Sequence, residues 1–227
     1  MNLAAFALLL AVIPPPVVST SSGPTGSPSP AASAAPLHTI VTVKANPYCT
    51  SLVTHFNGAM RPLVANDYSL DRVDDQLIDL KSVFNGLDYA QHYTTIRVKL
   101  VKLVGEMQKR LPPLQAEVNS LRDGEKLTTD PVEAKKMHAL AEKMQLAYNK
   151  QMQLTNDLLA LAQGMMDFNQ LGGYHPLNGQ DAATQAMPED MKDMKSFLKF
   201  DGQRDVIRSA ESDAGDIAYD IATTSCH

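Results

Sequence analysis

The chain has 227 residues with 20 Lys and Arg against 25 Asp and Glu, a formal net charge of −5, aromatics at 6% and no Trp. An acidic, aromatic-poor chain offers neither a basic track for phosphates nor platforms on which bases stack, so nucleic acid is not an expected partner. Apolar residues make up 44% of the chain, enough to pack a real core in one domain of about 185 residues.

Residues 1–20 read as a secretory signal peptide. Leu3 to Ile13 form an apolar run closed by Pro14, Pro15 and Pro16. That is the length of a signal-peptide h-region and well short of the roughly 20 residues a bilayer span needs. No Lys or Arg precedes the run, so the terminal amine supplies its positive end. Small residues at Val17-Val18-Ser19 and at Ala32-Ser33-Ala34 place cleavage near residue 20 or as late as 34. Residues 21–43 are rich in Ser, Pro and Ala and carry no charge. Such a segment buries too little to offset its ordering entropy, and it reads as a disordered spacer. Residues 44–227 then form the folded domain, with no transmembrane segment in the mature chain and a secreted or periplasmic location. In that oxidising setting the only two cysteines, Cys49 and Cys226, read as one structural disulfide joining the two ends of the domain.

A first helix is expected from about Pro47 to Phe84, with Leu70, Val73, Leu77, Leu80, Phe84 and Leu87 at spacings of three and four. Pro62 predicts a kink or break between Arg61 and Ser69, where Asn66, Asp67 or Ser69 would cap a restart. Asn85-Gly86 supplies a stop, and Asp88 with Gln91 a capping-box start, so the next helix folds back as a hairpin. Centring the turn near Leu87 sets Asp75 opposite Lys99 and Asp71 near Lys102.

The second helix carries Tyr93, Ile96, Leu100, Leu103 and Met107, then Leu111, Leu114, Val118 and Leu121 after a slip at Pro112-Pro113 that marks Leu111 as a kink site. Arg122-Asp123-Gly124 ends it. Asp130-Pro131-Val132-Glu133 opens the third helix with a cap, an N1 proline and an N3 glutamate. There Met137, Leu140, Met144, Ala147, Gln151, Leu154, Leu158, Leu161, Met165 and Phe168 form a continuous heptad. A second row, Tyr148, Met152, Leu159, Ala162 and Met166, widens the stripe beyond a two-stranded seam, which favours an intrachain bundle.

Residues 169–185 read as a loop. A short amphipathic helix follows, with Met187, Met191, Met194 and Leu198 on one face and Asp190, Lys192, Asp193 and Lys195 solvated. A last helix from about Gln203 to Thr224 offers Val206, Ala210, Ala214, Ile217 and Ile221. The expected fold is all-α: an elongated antiparallel up-down-up-down bundle of three long helices and a shorter C-terminal one. That topology brings both cysteines to the same end.

No phosphate loop, nucleophile elbow, HExxH, CxxC pair or EF-hand loop occurs, so the chain reads as non-enzymatic. Cys226-His227 is half of a haem-attachment motif, but Thr223 stands where the second cysteine belongs. Met187, Met191 and Met194 offer soft thioethers suited to Cu(I); the competing reading is that they fill a core stripe. The function expected is a structural or macromolecule-binding role without a cofactor, with a protein or envelope component as partner. The alternative is an extracytoplasmic carrier of a small ligand or of Cu(I).

Overall fold

The structure, a computed structural model, describes residues 45–84, 89–170, 195 and 198–227. They contain four α-helices: α1 Pro47–Phe84, α2 Tyr89–Gly124, α3 Pro131–Gln170 and α4 Phe200–Thr224. A 3₁₀ turn, Glu125–Leu127, links α2 to α3. There is no strand among the described residues. The helices pack against one another as a bundle, so the all-α expectation holds. The leader, the spacer, the Asn85-Gly86 turn and Met187, Met191 and Met194 lie outside the described residues.

Heptad spacing explains which faces meet. In α3 the eight positions from Met137 to Leu161, Gln151 among them, are all buried. In α2 the same is true of Ile96, Leu100, Leu103, Met107, Leu111, Leu114, Val118 and Leu121. The second row of α3 is buried only in part, since Ala162 is covered whereas Met152 is exposed.

Neither proline site breaks its helix. α1 runs unbroken through Pro62 and α2 through Pro112 and Pro113. A proline inside a helix forfeits one hydrogen bond and strains one turn. Here Ala59, Leu63 and Leu70 keep a single buried stripe across Pro62, and continuous burial outweighs the local cost. In α2 both proline rings are exposed while Leu111 and Leu114 on either side are buried. Asn66, Asp67 and Ser69 therefore cap no restart. Ser69 Oγ instead donates to the Ala65 carbonyl at 3.1 Å.

The start of α3 follows its signature with one change. Asp130 Oδ1 accepts the Val132 N–H at 2.8 Å. The Glu133 carboxylate accepts from Thr128 Oγ1 at 2.6 Å, and Thr128 Oγ1 accepts the Asp130 N–H at 3.2 Å. Thr128 thus relays the second half of the capping box.

In α4 the expected stripe holds at Ala210, Ala214 and Ile221, while Ile207 and Ala218 take the places expected of Val206 and Ile217. Val206 is 39% exposed, and Ile207 is buried with Ala210, Ala214, Ala218 and Ile221. The spacings run three, four, four and three from Ile207, which leaves Val206 about 100° off the stripe. Ile217 lies at its edge, partly buried.

Cross-helix contacts fix the register. His55 meets Glu117 and Asn66 meets Arg110, within about two residues of the expected α1–α2 pairing. On the other side of the bundle Lys136 meets Asp220 and Lys143 meets Asp213. The expected pairing of Asp71 with Lys102 is replaced: Asp71 is taken by Arg204 and Arg208 of α4. Lys195, expected on a solvated face, binds Asp74 at 2.7 Å.

Candidate functional site

The apolar core is not continuous. One half gathers Leu52, Phe56, Leu63, Leu114, Leu121, Met137, Met144 and Ile221. The other gathers Leu70, Leu77, Leu100, Met107, Leu154, Leu158, Phe200 and Ile207. Between them the heptads of α1 and α3 each place a polar residue, Asn66 and Gln151, both 0% exposed. Asn66 Nδ2 donates to Gln151 Oε1 at 2.8 Å, and Gln151 Nε2 donates to the Leu63 carbonyl at 3.3 Å. Arg110 Nη1 reaches in from α2 to Ser69 Oγ at 2.9 Å and to Asn66 Oδ1 and the Ala65 carbonyl, each at 3.3 Å. A one-residue slip of α1 on α3 would strand both amides against apolar side chains, so this layer pins the register.

At the same level, charged side chains fill the seam between α1 and α4. Arg204 is 7% exposed. Its Nε donates to Asp67 Oδ1 at 3.0 Å, and its Nη2 donates to Asp71. Arg208 Nη2 adds a bond to Asp67 Oδ2 at 3.1 Å. Burial opposes the charge on Asp67, but the hydrogen bonds and charges of Arg204 and Arg208 outweigh it and hold the carboxyl below its usual range. Two carboxylates thus balance two guanidinium groups.

Glu211 is the unbalanced member. Its Oε1 is sealed from solvent and has no hydrogen-bond partner among the described residues. Burial, and then the negative charge of Asp67, push its carboxyl up to about 7, against the pull of Arg208 and Arg204. A group whose folded pKa is raised in this way is bound to more protons in the folded state than in the unfolded one between the ordinary glutamate value and about 7. Stability therefore falls as pH rises through that window. We expect Glu211→Gln to flatten the decline. At pH 8 the variant should exceed the parent by roughly 2 kcal/mol, with the two equal near pH 4. Urea unfolding at several pH values measures this, and parallel curves for the two proteins would show that Glu211 does not titrate in the seam.

The disulfide end is built by the first turns of α1 and the last residues of the chain. Cys49 and Cys226 stand at disulfide distance, with Cα atoms 5.6 Å apart, and both are fully buried. Tyr48 Oη donates to the Glu133 carbonyl at 2.9 Å, and burial, followed by the charges of Glu133 and Asp130, raises its phenol. Beside them lies an open groove of about 710 Å³ lined by Asn46, Ser51, Thr54, His55, Ser120 and Leu127 among others. On its rim His55 Nδ1 and Glu117 Oε2 are 2.7 Å apart. That carboxylate lies directly over Gly58, where an added Cβ would meet it at 2.7 Å. The glycine is what lets the pair close over α1.

Of the residues singled out in the sequence, Cys49 and Cys226 come together. Asp67, expected as a helix cap, instead binds Arg204 and Arg208, and no motif in the sequence marks Arg204 or Glu211. Arg204 and Glu211 occupy the buried side of α4, flanking Ile207, and polar residues on a core stripe were the available signal. No group of three or more His, Cys, Asp or Glu side chains converges as a metal site among the described residues. No described helix is long and apolar enough to cross a membrane. No protein-family model, curated protein or solved structure matches the chain.

Proposed function

We propose that the chain is an exported, non-enzymatic helical bundle with a structural or macromolecule-binding role, and that its outer surface is the working part. The observation that carries this reading is the placement of Cys49 and Cys226. A cross-link there ties the first and last helices of a bundle whose apolar stripes face one another. Such a body is rigid, and it presents its exterior. Export, as part of the proposal, is supported by the apolar run at residues 3–13 and by a cysteine pair of the kind that persists in an oxidising compartment. The up-down-up-down order is part of the proposal. It is supported by the opposed directions of the α1–α2 and α3–α4 contacts and by the cysteines meeting at one end.

The test is chemical crosslinking in the native host, followed by recovery of the oxidised chain under denaturing conditions. One macromolecular partner should be recovered reproducibly. Metal analysis and absorbance of the native protein run alongside. Stoichiometric copper or a chromophore, lost in a Met187→Leu, Met191→Leu, Met194→Leu variant, would replace this reading with that of a carrier.

A further inference from the structure

On α2, Val98, Lys102, Gly105, Lys109 and Pro112 recur at spacings of four, three, four and three, which puts them on one stripe. The stripe faces away from buried Leu100, Leu103, Met107 and Leu111. Val98 is 57% exposed and Val101 beside it 43%. From Thr95 to Ala116 the helix carries five cations, Arg97, Lys99, Lys102, Lys109 and Arg110, and one acid, Glu106. Arg110 already pairs with that acid at 3.7 Å. Arg110 is turned inward onto Asn66 and Ser69, so the outward charge of α2 is that of Lys99, Lys102 and Lys109, all exposed, in a chain of net charge −5.

The lysines are not spent inside the fold. Elsewhere cations find carboxylates, as Lys136 does with Asp220 at 2.6 Å and Lys143 with Asp213 at 2.8 Å. Lys99, Lys102 and Lys109 have no carboxylate partner among the described residues. This is so although α1, packed beside α2, carries Asp71, Asp75 and Asp79. Apolar side chains interleaved with free lysines make a contact that suits both the charge and the hydrocarbon boundary of an anionic bilayer.

We infer that the outer face of α2 docks onto an anionic lipid surface, with Lys99, Lys102 and Lys109 on the headgroup phosphates and Val98 and Val101 against the boundary beneath them. The inference rests on the reading of an exported bundle that works through its outer surface, and it names an envelope component, the lipid, as what that surface meets. The relief of the face favours a plane over an acidic polypeptide. Gly105, Pro112 and Pro113 project little from the face beside the lysines, which suits contact with a plane, whereas a discrete acidic chain would need a groove to seat it.

The test uses the full oxidised chain and sedimentation with phosphatidylcholine vesicles, with and without phosphatidylglycerol. Binding should require phosphatidylglycerol and weaken as salt shortens the screening length. Each of Lys99→Gln, Lys102→Gln and Lys109→Gln should lower the partition coefficient about fivefold, with unchanged circular dichroism. A Cβ at Gly105 meets nothing within 4 Å among the described residues, so Gly105→Leu should raise partitioning about tenfold by adding apolar surface without disturbing the fold. Equal binding to neutral vesicles, no binding to either, or indifference to the lysine and Gly105 variants would overturn the inference. Capture by polyglutamate but not by vesicles would also overturn it, while leaving the macromolecule-binding reading in place.

Discussion

Replacing both cysteines, as Cys49→Ser with Cys226→Ser, is expected to lower the stability of the oxidised protein by up to roughly 5 kcal/mol. The two residues are 177 apart in sequence, so the cross-link removes nearly the whole loop-closure entropy of the denatured domain. Native strain and residual denatured structure subtract from that figure. The loss should be uneven. Five of the nine buried residues of α4 are Ala or Gly, and Ala210, Ala214 and Ala218 supply little area to hold its middle. α4 is thus the helix that depends most on the clamp. In native-state hydrogen exchange its amides should lose protection first when the pair is removed, while those of α3 keep theirs. Identical melting curves with and without reductant would show that the pair contributes nothing and that packing alone holds α4.

Periodicity carried most of the fold, because a heptad specifies a face whatever that face touches. The stripe of α3 could be followed to Leu161 and that of α2 to Leu121 without knowing their partners. Pro62 does not break α1, since its cost is local while the burial that outweighs it is spread over Ala59, Leu63 and Leu70. In α4 the pattern holds at Ala210, Ala214 and Ile221, but alanine weighs little in a hydrophobic pattern, so Val206 and Ile217 stand out in sequence where Ile207 and Ala218 are buried. The charged seam was the hardest part to foresee. Asp67 and Asp71 have cations within reach on α2 in the hairpin scheme, but their actual partners, Arg204 and Arg208, lie more than a hundred residues away. Only the return of the last helix brings them together. Cys49 and Cys226 were legible for the opposite reason: two cysteines allow a single pairing.

Arg204→Met should cost about 3–5 kcal/mol at neutral pH, the range for removing one member of a buried ion cluster. The methionine fills a similar volume, so the loss reports charge rather than a cavity. Arg204 reaches both Asp67 and Asp71, and it is the more buried of the two cations in the seam. Without it Arg208, which is far more exposed, is left to face two carboxylates and the half-buried Glu211. The pH dependence separates this mechanism from simple loss of packing. Asp67 has its carboxyl depressed in the folded state, so its contribution is present above the ordinary aspartate range and disappears as pH falls through the folded value. The deficit of Arg204→Met should therefore be greatest near neutrality and shrink below about pH 4, where protonated aspartates need no cation. Restoring the balance by removing negative charge should rescue the variant. Combining Arg204→Met with Asp67→Asn should recover part of the loss at pH 7 and little at low pH, because the two residues belong to one interaction and their effects are not additive. A deficit that is the same at every pH, with no rescue by Asp67→Asn, would mean that the guanidinium serves as packing and that the seam is not held by charge.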